Sequence, residues 1–319
     1  MKKIISLLTL VSIIALTGVG VKQNAESASR VYTNAGVIEV QGNTIAVVVN
    51  GTSIETLSIT SDNHIVKLAE ALATGNGIEP QAVYTRIENG KPIAYIAAGA
   101  AIQKYDLSSP AWPSLVSSMD SPLGFTRGIT GRSDIPLIVA GGDRGVAEFE
   151  STTIMKTRDL WKGTAYGVDS NDNGEIVINS FNTAAVLDRN NAAVFSGTVR
   201  HSEPVAAASY ISPSGTGYVA DDTGVQKLGA QVKFQSQSGF GYIVDSIDDG
   251  FVYFVNGWGV YKLDKNLQQV GFQTINQIGG WARGVKVFRA YGKTRVLILA
   301  SDRVYLLDDN LLILDTYQY

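Results

Sequence analysis

The chain contains no cysteine. Disulfides, thiolate catalysis and Cys-based zinc or iron–sulfur centres are thereby excluded. Histidine is almost as scarce, with only His64 and His201. That supply and spacing cannot build a His-x-His pair, a zincin helix or a two-histidine facial triad. No phosphate-binding loop and no G-x-S-x-G elbow occurs, and nothing marks a Ser–His–Asp triad. Charged residues are few at 17%, and the net charge is only −3. No global field directs the chain to nucleic acid, so none is expected as a partner. Proline is modest at 8 residues, whereas glycine is abundant at 33, as in a protein of many tight turns. With 45% hydrophobic residues over 319 positions, the chain is long and apolar enough for a well-buried core.

The one long uncharged apolar run lies at the start. Lys2 and Lys3 precede Ile4 to Val21, and the polar stretch KQNAESASR follows. A basic start, an apolar centre and small residues after it form a secretory signal, with Ala25 and Ser27 before a cleavage point. The division expected is residues 1–27 as signal and 28–319 as one domain. The run also approaches the ~18 residues of a spanning helix, so an uncleaved anchor is the alternative; only then is a membrane a partner. Either way the rest lies outside the cytoplasm: secreted, periplasmic or at the cell surface.

The remainder is periodic. Short β-type runs ending in a small or polar corner recur as IAVVVNG, IAYIAAG, LIVAGGD, IVINSFN, GYVADDT, FVYFVNG and VLILASD. Their corners, Asn50, Ala98, Ala140, Asn179, Ala220, Asn256 and Ala300, lie 48, 42, 39, 41, 36 and 44 residues apart. A run precedes each corner strand, across hairpin chemistry such as QGN, NDNG, DDG and YGK. A third run follows, such as GVYKLDK or RVYLLDD, and then a more polar fourth, such as VKFQSQS. Seven units of about forty residues, fading in apolarity from first strand to fourth, predict an all-β, seven-bladed β-propeller of four-stranded antiparallel blades. Residues 62–75 fit a short helix or a fourth strand equally. The final LLILDTYQY is expected to pair with Arg30–Asn34 or the first unit and so close the ring.

The units resemble two repeat families of exported bacterial β-propellers. VYLLDDN and VYKLDKN are similar to the third strand of pyrroloquinoline-quinone-type repeats. AYIAAGAAIQKYDLSSPAWPSLVSSMD, with TRGITG and ARGVKV, is similar to LVIVD-type repeats. The likeness spans roughly residues 36–315. It implies the propeller fold and export. The G-x-x-x-W ending of the quinone-type repeat is not repeated here, so no cofactor is expected.

DSNDNG begins like a calcium loop, which makes Asp169, Asn171 and Asn173 weak calcium candidates. Ser180 stands where that loop needs Glu, and a hairpin turn is already required there. Otherwise no metal site is expected. Topology supplies better candidates. Propeller ligands meet the face built by the connections between blades and the loops joining second to third strands. Here those segments gather Phe125, Arg127, Asp143, Arg144, Phe181, Asp222, Trp258, Trp281, Arg283, Asp302 and Arg303. Exposed aromatics beside arginine suit binding surfaces. In the competing reading, Phe125 and Trp281 seal seams between blades, and Arg127 and Arg283 are matched structural residues. The expected function is a monomeric binding module for an extracellular or envelope protein, peptide or glycan. The alternative is a hydrolase or lyase with a metal- or carboxylate-based site in the axial cleft.

Overall fold

The computed structural model describes residues 32–72, 78–132, 135–199, 209–230, 232–236, 242–248, 250–275 and 281–318. The expected signal, residues 1–27, lies outside them, as does His201. No helix among the described residues is long and apolar enough to cross a membrane.

The described chain is all-β, and every strand pairing is antiparallel. The first sheet contains β1 (Asn34–Val40), β2 (Asn43–Val49), β3 (Ser53–Ile59) and β4 (Ile65–Leu72) in that order. Next come β5 (Ile78–Glu88), β6 (Lys91–Gly99), β7 (Ala101–Asp106) and β8 (Ser114–Asp120). They are followed by β9 (Thr126–Arg132), β10 (Leu137–Gly142), β11 (Gly145–Glu150) and β12 (Met155–Lys162). These two sets of four join through one pair, Gly99 with Thr126. Four-stranded sheets then follow in chain order. One is β13 (Ala165–Ser170), β14 (Ile176–Ser180), β15 (Thr183–Leu187) and β16 (Ala193–Thr198). Another is β17 (Ser209–Ile211), β18 (Gly217–Asp221), β19 (Gly224–Lys227) and β20 (Val232–Gln235). Then come β21 (Ile243–Asp245), β22 (Phe251–Val255), β23 (Gly259–Asp264) and β24 (Gln269–Thr274). The last is β25 (Ala282–Ala290), β26 (Lys293–Ala300), β27 (Arg303–Asp308) and β28 (Ile313–Gln318).

Burial explains the composition of each strand. Second strands such as β2 and β6 are buried on both faces beyond their first residue, because a sheet packs on either side. They accordingly read as continuous Ile, Val and Ala. Fourth strands such as β12 and β16 are mostly exposed; β12 is largely polar, whereas β16 exposes Val194 and Phe195. Apolar clusters lie between consecutive sheets along the chain. A further one joins last to first, packing Phe288, Leu297 and Leu306 against Ala46, Val48 and Leu57.

Residues 65–72 are a strand, so the helical alternative is not adopted. The expected closure by strand pairing is also corrected. β28 pairs with β27, and Asn34 belongs to β1, which pairs with β2. Arg30 lies outside the described residues. The two ends meet through side chains instead. Asp315 accepts the amide of Ile65 at 2.7 Å, Arg295 donates to Asn63 at 2.5 Å, and Tyr317 donates to Glu55 at 3.3 Å. Among the described residues β28 pairs only with β27, and side chains of β28 and β26 reach the first sheet.

Residues 260–264 and 304–308 echo each other as V-Y-x-L-D, and the match has a local cause. Asp264 accepts the amides of Asn266 and Gln268, both at 2.8 Å. Asp308 accepts those of Asn310 and Leu312 at 2.9 and 2.8 Å. Each carboxylate thereby holds the turn into the fourth strand. The echo is turn chemistry as well as packing.

Candidate functional site

The site is built from corners. Between β22 and β23, the buried Asn256 accepts the amides of Trp258 and Gly259 through its side-chain oxygen, both at 3.2 Å. This turn mimicry pushes Trp258 outward. Gly257 between them has φ +86°, and a Cβ there would lie 2.6 Å from a Trp281 ring carbon. Only glycine both adopts that backbone and leaves room for the second ring. The Trp281 segment is anchored by Ala282 donating to the Gly257 carbonyl at 3.0 Å. The two rings meet edge to face at 5.7 Å, yet Trp258 and Trp281 remain 41% and 43% exposed. Arg283, at the start of β25, lies over the Tyr242 ring at 5.9 Å. It has no carboxylate partner among the described residues, and its Nε is buried without a hydrogen-bond acceptor.

A second cluster occupies the equivalent place around β9. Arg127 lies over the Phe125 ring at 4.7 Å and the Tyr166 ring at 5.7 Å. Tyr166 in turn meets Phe181 at 6.4 Å. Arg127 donates to Asp143 at 2.9 Å, so its charge is compensated within the chain. Arg144 is exposed beside Asp143. The matching corner of the last sheet also carries Asp and Arg, but Asp302 pairs with its own neighbour Arg303 at 3.3 Å and leaves Arg283 alone.

Phe181 also borders a groove of about 500 Å³ with Asp221, Thr223 and Lys233. Its charges cancel, since Lys233 lies 2.5 Å from Asp221. Asp222 is half-buried next to it. The candidates therefore do not form one constellation. Phe125, Arg127, Asp143 and Phe181 belong to one cluster, Trp258, Trp281 and Arg283 to a second, and Asp302 with Arg303 stand as a separate pair.

The calcium candidates diverge. Asp169 accepts the amide of Ile211 at 3.0 Å. Asn171 turns its amide nitrogen to Glu175 and the Ser212 carbonyl, and Asn173 donates to the Pro213 carbonyl. Three of these bonds tie the turn to residues 211–213 of the following sheet. Among the described residues no three His, Asp or Glu side chains form a metal-ligand group.

Sequence reading missed a narrow cavity of about 80 Å³ lined by β1, β5, β9, β13, β17, β21 and β25. Asp169, Asp245 and Lys286 face it from three separate strands. Lys286 lies 3.2 Å from Asp245, whose other contact is the Val287 amide at 2.6 Å. Burial pushes the Asp169 carboxyl up to about 7, opposed by the charge of Lys286 and the Ile211 amide. Burial likewise raises Asp245. Lys286 is enclosed by the strands yet about a third exposed to the cavity itself; the two carboxylates hold its ammonium above the usual range despite desolvation. The V-D-S shared by 168–170 and 244–246 was the available signal for two equivalent inward carboxylates.

No protein-family model matches the chain, and a search of curated proteins finds no match.

Proposed function

We propose that the chain is an exported, monomeric, seven-bladed β-propeller that binds an extracellular or envelope ligand on the face carrying Trp258, Trp281 and Arg283. The ring is supported by packing of β1 against β25, by the last-to-first apolar cluster and by the cavity that all seven first strands line. Export rests on the N-terminal pattern and on the resemblance to exported repeat proteins. The observation that carries the binding reading is the half-exposed tryptophan pair beside an arginine that has no carboxylate partner among the described residues. Flat aromatic area at low entropy cost next to open guanidinium donors suits a carboxylate flanked by an apolar ring or chain. Uronic-acid glycans and peptides with a free or acidic carboxylate share that chemistry.

The alternative of a hydrolase or lyase at the axis draws on Asp169, Asp245 and Lys286. A site for an organic substrate usually needs about 300–1,000 Å³, and the axial cavity is far smaller. The surface reading is therefore preferred.

The test is to probe the full chain against an array that pairs uronic-acid glycans and carboxylate peptides with their neutral or amidated counterparts. Retention on carboxylate members of either class supports the reading and identifies the class. Equal retention on charged and neutral members, or none, contradicts it.

A further inference from the structure

The axial cavity goes beyond surface recognition. Its polar wall includes Tyr84, Thr130, Asp169, Ser209, Asp245 and Lys286. Two carboxylates there face one ammonium, which leaves one negative charge uncompensated when both are ionised. Lys286 takes Asp245. Asp169 receives neutral donors: the Ile211 amide at 3.0 Å, the Thr130 hydroxyl at 3.3 Å and the Ser170 amide. The neighbouring first strand contributes Ser209, which is 5% exposed and whose hydroxyl oxygen has no hydrogen-bond partner. Buried polar atoms are rarely left unpaired.

We propose that this cavity binds one alkali-metal cation, held by the Asp169 carboxylate and the Ser209 hydroxyl and completed by water. Oxygen donors of this kind suit hard cations. The charge count selects a monovalent ion, because a divalent one would leave excess positive charge beside the Lys286 ammonium. It also agrees with the lack of a third acidic ligand among the described residues. The volume of about 80 Å³ takes an ion with part of its water shell, since a single water needs about 10–15 Å³ of such space.

The test compares melting of the full chain in sodium, potassium and choline chloride at equal concentration and pH 8. Choline keeps ionic strength constant and is too large for the cavity. An alkali salt should raise the melting temperature over choline by on the order of 3 °C. The difference should vanish in Asp169→Asn and shrink in Ser209→Ala. Equal melting in the three salts at pH 8 would overturn the site. So would a salt difference that survives Asp169→Asn.

Discussion

Arg127 and Arg283 occupy the same position in two sheets and end in different states. Both begin a first strand within an R-G pair, both lie against an aromatic ring, and both bury an Nε without an acceptor. The corner facing each carries Asp followed by Arg. In one, Asp143 reaches Arg127; in the other, Asp302 stays with Arg303. One repeat has closed its charge internally, while the other leaves it open beside two half-exposed tryptophans. A repeat fixes where a side chain stands. Its partners, set by single residues in neighbouring loops, decide whether it is structural or available to a ligand.

The largest expected effect is on that open side. Trp258→Ala or Trp281→Ala should weaken binding of any array ligand at least about 30-fold, as for a central aromatic anchor. Phe125→Ala should change it less than about 3-fold. A surface titration of the three variants decides, and equal losses would erase the comparison.

The backbone beneath the tryptophans comes next. Gly257→Ala should cost about 1–3 kcal/mol of stability, because the positive φ is strained and the new methyl meets Trp281. Chemical denaturation measures it, and tryptophan emission should shift as the ring moves. An unaltered midpoint and spectrum would mean that Gly257 does not set the ring.

The axial carboxylate gives a pH signature. Asp169 is pushed from its ordinary 3.8 to about 7 in the fold, so between those values the folded chain holds a proton the unfolded chain has released. Stability therefore falls as pH rises through that window and levels off above it. Asp245, also raised, acts in the same direction, while Lys286, raised above 10.5, does not titrate there. In choline chloride the melting temperature should drop from pH 5 to pH 8, and less steeply in Asp169→Asn. Parallel profiles would show that Asp169 titrates normally.

The smallest effect belongs to the exposed pair. Asp302→Asn should change stability by less than about 0.5 kcal/mol, since Asp302 is half exposed. A larger loss would mean that the pair orders the corner.

Much of the fold was legible in the chain, and much of the site was not. Corner strands were readable because two-sided burial demands unbroken runs such as IAVVV and VLILA. Residues 65–72 were ambiguous because an exposed edge strand places weak demands on its residues: Ile65, Ala69 and Leu72 mimic helical spacing as easily as they pair with β3. The final LLILDTYQY was expected to pair with Arg30–Asn34 or the first unit, but its ILDTYQ is the outer strand β28, paired with β27. At the site, the aromatic and arginine residues were visible as types in loops. Their pairing was not, because Arg127 meets an Asp sixteen residues away, and Asp245 meets a lysine forty-one residues away. Those separations carry no local pattern. Asp245 and Lys286 were overlooked because each first strand brings one polar side chain to the cavity, and only their assembly gathers the charge.

The most direct test of the account is to probe one array of carboxylate ligands and neutral counterparts with three full-length proteins: the unaltered chain, Arg283→Ala and Arg127→Ala. The account predicts that Arg283→Ala loses the carboxylate signal at least about tenfold, while Arg127→Ala retains it within about threefold. Equal loss in both variants, or loss in Arg127→Ala alone, would contradict it.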